Sequence, residues 1–224
     1  MKIAILGATG ATGLDLLEQA LAAKHIEEVR VFMRRKIHLK HPKLICYVVD
    51  FNQPKLWQHE VMGDAAFSCL GTTLKIAGSK KTQYQVDYTY QYEFAQAAKQ
   101  NGISQFVLVS SVGASEKSHI FYSQMKGQLE VDIKALNFNQ LLIFRPPSLI
   151  RTATDRKAEV VGVKTIQALN KIGLFRQVRP LPTAILAQSM LKTSEQWATP
   201  DADNKTIQGI FIISGRAIWR LAEE

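Results

Sequence analysis

Short apolar runs rich in Ile, Val and Phe alternate along this chain with longer stretches whose apolar positions recur at helical spacing. The runs predict strands at Ile3–Leu6, Val29–Met33, Leu44–Val49, Ala65–Leu70, Phe106–Ser110 and Leu141–Phe144. Several are apolar on both faces, as central strands covered by helices on each side must be. Helices are expected from Gly13 to about Lys24, from about Ser79 to Gln100, and from about Phe121 to Leu136, with Asn101-Gly102 closing the second. Alternation of this kind predicts an α/β protein with a doubly wound, mostly parallel sheet flanked by helices. Beyond Phe144, Pro146-Pro147 forces an extended exit, and the pattern turns irregular and basic up to Pro182. A small lobe over about 148–182 is expected there, then a helix from about Thr183 to Trp197 and a last strand at Gly209–Ile213. With no internal repeat or long linker, one domain over residues 1–224 is the economical reading.

Composition narrows the function classes. At 224 residues, 46% hydrophobic and 21% charged, the chain is neither a disordered segment nor a disulfide scaffold. Its 28 Lys+Arg against 19 Asp+Glu leave a charge of +9, which points towards an anionic partner such as nucleic acid, phosphate or a lipid surface. Cys46 and Cys69 lie in apolar runs without paired spacing, so no metal site is expected and both read as buried thiols of a reducing compartment. The apolar stretch after Met1-Lys2 is interrupted by Gly7, Gly10 and Gly13, which disfavours export and makes a cytoplasmic protein the expectation. No run is long enough to span a bilayer, so no membrane partner is expected.

The first strand runs directly into Gly7-Ala8-Thr9-Gly10-Ala11-Thr12-Gly13 and then into a helix. Glycines permit a tight turn and close backbone approach, and the free N–H groups at a helix start bind a pyrophosphate. The turn is therefore a dinucleotide cradle of Rossmann type. Its GxxGxxG spacing resembles the short-chain dehydrogenase/reductase superfamily, particularly the extended and atypical branches. In a NAD site the second strand would end in a carboxylate for the ribose 2′ hydroxyl. Here it ends in Arg34-Arg35-Lys36, a cationic cluster suited to a 2′ phosphate, so NADP(H) is preferred over NAD(H). Plain solvation of a strand end is the other reading of those arginines. The third strand ends in Asp50-Phe51 and the fourth in Leu70-Gly71-Thr72-Thr73, further candidate cofactor contacts. In similar enzymes the acidic residue meets the adenine amino group, although a turn-forming Asp would look the same.

After the fifth strand come Ser110-Ser111, and then a helix carrying Tyr122-Ser123-Gln124-Met125-Lys126. Phe121, Met125, Leu129, Ile133 and Leu136 form the stripe that should pack on the sheet. Tyr122, Lys126 and Glu130 lie on the neighbouring stripe and should face a cleft. In that reading Lys126 lowers the phenol's pKa and holds the nicotinamide ribose. Tyr122 exchanges a proton with a substrate carbonyl, and Ser111, with Ser110 the alternative, holds that oxygen.

Cys69-Leu70-Gly71-Thr72-Thr73, Val86-Asp87, Leu108-Val109-Ser110-Ser111, Tyr122 to Gly127 and Phe144-Arg145-Pro146 resemble the atypical short-chain reductases around the mammalian Tat-interacting oxidoreductase-like protein and its bacterial relatives. The resemblance covers most of residues 1–150. It implies a Rossmann protein that binds NADP(H), with Tyr122 and Lys126 contacting the cofactor and Pro146 and Ser148 adding backbone contacts at the nicotinamide. Asp87 stands where many members have Asn, so a four-residue catalytic relay is not assumed. The expected activity is hydride transfer to or from a small carbonyl or alcohol by a monomer or homodimer. The alternatives are an NADP(H)-binding regulatory or redox-sensing protein and, less favoured, a nucleotide-sugar epimerase-like enzyme. No nucleic-acid module is visible, so nucleic acid is not expected as a partner.

Overall fold

A computed structural model of the chain describes residues 1–150, 180–198 and 207–223. The strands are β1 (Lys2–Leu6), β2 (Glu28–Met33), β3 (Leu44–Val48), β4 (Ala65–Ser68), β5 (Gln105–Val109), β6 (Gln140–Arg145), β7 (Leu149–Ile150), β8 (Leu181–Pro182) and β9 (Gly209–Ser214). The helices are α1 (Ala11–Ala22), α2 (Leu74–Ala77), α3 (Lys80–Tyr84), α4 (Tyr90–Gln100), α5 (Phe121–Ala135), α6 (Thr183–Ala198) and α7 (Arg216–Glu223). Seven strands form one sheet in the order β3-β2-β1-β4-β5-β6-β9, and every pairing in it is parallel.

Strand alternation divides the core in two. Ile3 and Ile5 of β1 face Leu16, Leu17 and Ala20 of α1 and Leu186 and Met190 of α6. Ala4 and Leu6 face the opposite way, into a layer made with Phe94 and Ala98 of α4 and Leu129 and Ile133 of α5. Each central strand is thus covered on both sides, which is why its sequence is apolar at successive positions. β3 is an edge strand and only partly covered, and Cys46 on it is exposed, against the expectation of a buried thiol.

Several elements depart from their expected bounds. α1 begins at Ala11, two residues before Gly13, because Gly10 serves as its N-cap. The stretch expected to be one helix from Ser79 is broken into α3, a π turn at Gln85–Thr89 and α4, and the short α2 precedes it. Thr73 and Ser79 cap α2 and α3 by accepting the Ile76 and Thr82 N–H groups. α7 was not expected: its residues are amphipathic, but eight of them fall short of the window of about 11–18 residues over which a helical period is read. Of the lobe expected over 148–182, residues 151–179 lie outside the described residues, and the two flanking segments pair in parallel as β7 and β8. Among the described residues no helix is long and apolar enough to cross a membrane, and no cluster of three His, Cys, Asp or Glu could hold a metal.

Candidate active site

A wholly parallel sheet brings the carboxyl ends of its strands to one edge. The residues after β1 (Gly7), β2 (Arg34), β4 (Leu70 to Thr73), β5 (Ser111) and β6 (Pro146, Ser148), with Asp50 just beyond β3, therefore share that edge. The chain reverses winding between β1 and β4, the position where open α/β sheets bind ligands.

The glycine turn is built by close approach. Gly7 adopts a φ of +86°, and a Cβ on it would lie 2.7 Å from Leu70 N. A Cβ on Gly13 would lie 2.1 Å from the Gly7 carbonyl oxygen, so only hydrogen lets α1 start against the turn. The Gly10 N–H donates to Gly7 O at 2.9 Å, and the Leu14 N–H donates to Gly10 O at 2.8 Å. Ala11, Thr12 and Gly13 lie before the first helical bond, Gly10 supplies no capping side chain, and no acidic residue occupies the first turn. Thr9 and Gly10 are exposed. An uncapped, carboxylate-free N-terminus fits the diphosphate of a dinucleotide.

On the β2–β3 side of this turn lies a hollow of about 500 Å³ bordered by Arg34, Val49, Asp50, Phe51, Asn52 and Tyr90. Phe51 packs against Trp57 and Tyr90 at centroid distances of 5.5 and 5.3 Å. Arg34 and Arg35 are exposed, with Arg34 at the hollow. The hollow, a cation and an aromatic floor fit an adenosine with a charged substituent. Asp50 is already engaged: its carboxylate accepts from Gln53 Nε2 at 2.9 Å and from Asn52 N and Nδ2 at 2.9 and 3.1 Å, which holds its pKa below the ordinary value. Its turn-forming role is thus visible in the structure. Asn52 Oδ1 in turn accepts from the Tyr90 hydroxyl at 2.9 Å. Sequence reading missed Tyr90 and Asn52, because an aromatic at helical spacing and a polar turn residue carry no distinguishing signal.

On the β5–β6 side, Ser111, Tyr122 and Lys126 come together. The loop from Ser111 to Ile120 folds onto α5, and the Ser115 N–H donates to Ser123 O at 3.0 Å. Gly127 admits this loop, since a Cβ there would lie 2.1 Å from Ser115 C. Tyr122 remains 37% exposed, and the Ser111 hydroxyl donates to Val112 O at 3.2 Å, near enough to the phenol to favour its ionised form. Burial pushes that phenol up to about 12, Asp87 adds to the rise, and Ser111 opposes it. The expectation that Lys126 lowers it is therefore corrected. Lys126 is buried and its ammonium donates to Val109 O at 3.1 Å. Burial lowers the Lys126 pKa, against Asp87 and Glu130, which favour its charged form.

The stripe expected to face a cleft thus runs inward from Tyr122, with Glu130 only 1% exposed. Arg145 explains its burial, donating from Nε and Nη2 to the two Glu130 oxygens at 2.8 and 2.5 Å. Ser110 Oγ donates to Glu130 Oε1 at 2.5 Å, which commits Ser110 and leaves Ser111 as the hydroxyl at the phenol. Arg145 was missed as a partner because its contact with Glu130 is formed only when β6 and α5 pack. Pro146 is buried and its carbonyl accepts the Val112 N–H at 3.1 Å, joining the β6 exit to the Ser111 loop, while Ser148 is exposed. Cys69, at the end of β4, has its thiol pushed up to about 12 by burial. A larger cavity of about 710 Å³ opens at the amino ends of the strands, around Met1, His25, Gln105 and Glu195, and none of the expected site residues lines it.

The profile of the NAD(P)H-binding family matches residues 7–167, spanning the glycine turn, the hollow and the Ser111–Lys126 cluster. The chain belongs to the NAD(P)H-binding family. It is 34% identical over 168 residues to "Protein FMP52, mitochondrial" of Saccharomyces cerevisiae, covering 74% of this chain and 73% of that one. Among solved structures it shares its fold with a UDP-glucose 4-epimerase from Thermotoga maritima, with a TM-score of 0.66, 14% identity and coverage of 86% and 73%. A dTDP-4-dehydrorhamnose reductase from Clostridium acetobutylicum gives a TM-score of 0.62, 19% identity and coverage of 96% and 73%. The FMP52 relatives correct one expectation, since they carry a mitochondrial designation and a cytoplasmic location is not supported. They also leave the narrower likeness to the Tat-interacting protein resting on its motif residues alone.

Proposed function

We propose that this protein is an NADP(H)-dependent oxidoreductase that transfers hydride to or from a small carbonyl or alcohol substrate. The observation that carries the reading is that Ser111, just after β5, and Tyr122 and Lys126 of α5, with the Lys126 ammonium bonded to the last carbonyl of β5, stand at the sheet edge that also carries the glycine turn. The first turn of α1 would hold the diphosphate, Arg34 and Arg35 the 2′ phosphate, and Lys126 the nicotinamide ribose. NADP(H) so bound supplies or accepts the hydride. Ser111 would hold the substrate oxygen by a hydrogen bond. Tyr122, protonated at neutral pH because its phenol is pushed up to about 12, would donate its proton to that oxygen in the reducing direction.

Replacing Tyr122 with Phe removes the proton and little else. Turnover should fall by about 10²–10⁴-fold while NADPH binding stays close to wild type. Retained turnover removes Tyr122 from the mechanism. The engagement of Lys126 by Val109 O, with the phenol a weaker acid than an ordinary tyrosine, favours a regulatory or redox-sensing protein instead. Tight NADPH binding without oxidation across a broad carbonyl panel would select that reading.

A further inference from the structure

The segments that leave β4 and β5 carry aliphatic side chains that the fold does not bury. Leu74 and Ile76 of α2 are 47% and 57% exposed, and α2 buries none of its residues. Val112 and Ile120, at the two ends of the loop after Ser111, are 61% and 67% exposed. Single aliphatic side chains on a surface need no explanation. These four border one mouth, because β4 and β5 are neighbours in the sheet and the Lys80 ammonium at the start of α3 sits 5.3 Å from the Phe121 ring at the start of α5. Their backbone is fixed. The Thr73 hydroxyl caps α2 by accepting the Ile76 N–H at 3.3 Å, Ala114 is buried, and the Ile120 N–H donates to Ser118 Oγ at 3.1 Å. The aliphatic side chains are thus held outward before any ligand arrives, which spares the ordering cost of binding.

Charge at the same mouth is mostly of one sign. Lys75, Lys80 and Lys81 are exposed, and no Asp or Glu stands between Leu70 and the buried Asp87. Among the described residues none of these three lysines is paired with a carboxylate. The Ser111 loop adds only Glu116 beside Lys117. Apolar surface edged by cations complements a molecule that joins an aliphatic chain to a negative group. We propose that the substrate is an anionic amphiphile: a carbonyl or alcohol whose unbranched aliphatic chain lies along Leu74, Ile76, Val112 and Ile120, with a carboxylate or phosphate held by Lys80 and its lysine neighbours. This rests on Ser111 and Tyr122 being the reacting end of the site. Val112 follows Ser111 directly and Ile120 stands two residues before Tyr122, so a chain that covers them lies beside the reacting hydroxyls.

The test measures binding of non-reacting amphiphiles to the NADPH-loaded full chain by calorimetry, below their micelle concentrations. From hexanoate through octanoate to decanoate, affinity should rise about two- to fourfold per added methylene. Octanoate and octyl phosphate should bind about two- to fivefold more tightly than octanol, as exposed ion pairs allow. Ile76→Ser combined with Ile120→Ser should flatten the chain-length dependence. Lys75→Gln combined with Lys80→Gln should reduce the preference for the anion and keep that dependence. All four positions are exposed, so these variants should fold as wild type does. Affinity independent of chain length, or a dependence kept in the serine variant, overturns the apolar half of the proposal, and anions bound no more tightly than octanol overturn the charged half. Binding to vesicles of equal parts phosphatidylcholine and phosphatidylglycerol without binding of the monomeric alkanoates also overturns it, and assigns the mouth to a membrane surface. The alkanoates do not react, so failure here is separate from retained turnover in Tyr122→Phe.

Discussion

Gly127→Ala is a perturbation whose usual sign the structure reverses. Inside a helix, alanine is ordinarily favoured over glycine by about 1 kcal/mol. At Gly127 the new methyl would stand 2.1 Å from Ser115 C, 2.2 Å from Glu116 N and 2.5 Å from Ser115 Cα, all of them backbone atoms. Contacts of that length are more than an ångström too short, so α5 and the Ser115 loop must separate. Overpacking of this kind costs about 1–3 kcal/mol. The Ser115 N–H to Ser123 O bond of 3.0 Å is the tether that separation stretches, at a further ~1 kcal/mol. Set against the helical gain, the net loss is about 1–3 kcal/mol, which for a chain of this size lowers Tm by roughly 2–12 °C. Thermal unfolding followed by circular dichroism measures it. Because the loop begins at Ser111, turnover should fall further than NADPH affinity. An Ala variant as stable as wild type or more stable would refute the close approach of loop and helix.

Arg34→Ala should weaken NADPH binding by about ten- to a hundredfold, the range for a lost charge-assisted hydrogen bond, and leave NADH affinity nearly unchanged. Paired fluorescence titrations check this, and equal wild-type affinity for both cofactors would sink the NADP(H) preference. With the Tyr122 phenol held near 12, the two directions of reaction should differ in pH dependence. Reduction uses the protonated phenol and should stay level well above neutrality. Oxidation uses the phenolate and should rise about tenfold per pH unit. An oxidation rate that levels off near neutral pH would contradict the raised phenol.

The sheet was legible because each central strand advertises burial on both faces, as Ile3-Ala4-Ile5-Leu6 does by feeding two separate cores. The glycine turn was legible for a steric reason: Gly7 and Gly13 stand where a Cβ would strike backbone. The placement of Ser111 and Tyr122 followed from strand order, since a parallel sheet sends every strand's carboxyl end to the same edge. The π turn was not legible, because a one-residue insertion in a helix leaves its apolar spacing almost unchanged. Nor was the destination of Lys126. Its sequence neighbours put it on a boundary stripe, and its burial depends on Asp87 from the π turn, Glu130 from the next turn of α5 and the Val109 carbonyl of β5.

By itself, then, the sequence determined which segments form the seven-stranded sheet, where glycine is sterically required, and that Ser111 and the glycine turn share its carboxyl edge. These are consequences of local periodicity and backbone sterics. Only the tertiary structure decided the protonation and partners of the site's side chains. The Tyr122 phenol is raised rather than lowered, Ser110 is taken by Glu130, and Asp50 is engaged by its own turn. The physical reason is that burial and opposing charge are set by groups distant in the chain, and their balance exists only once the layers have packed.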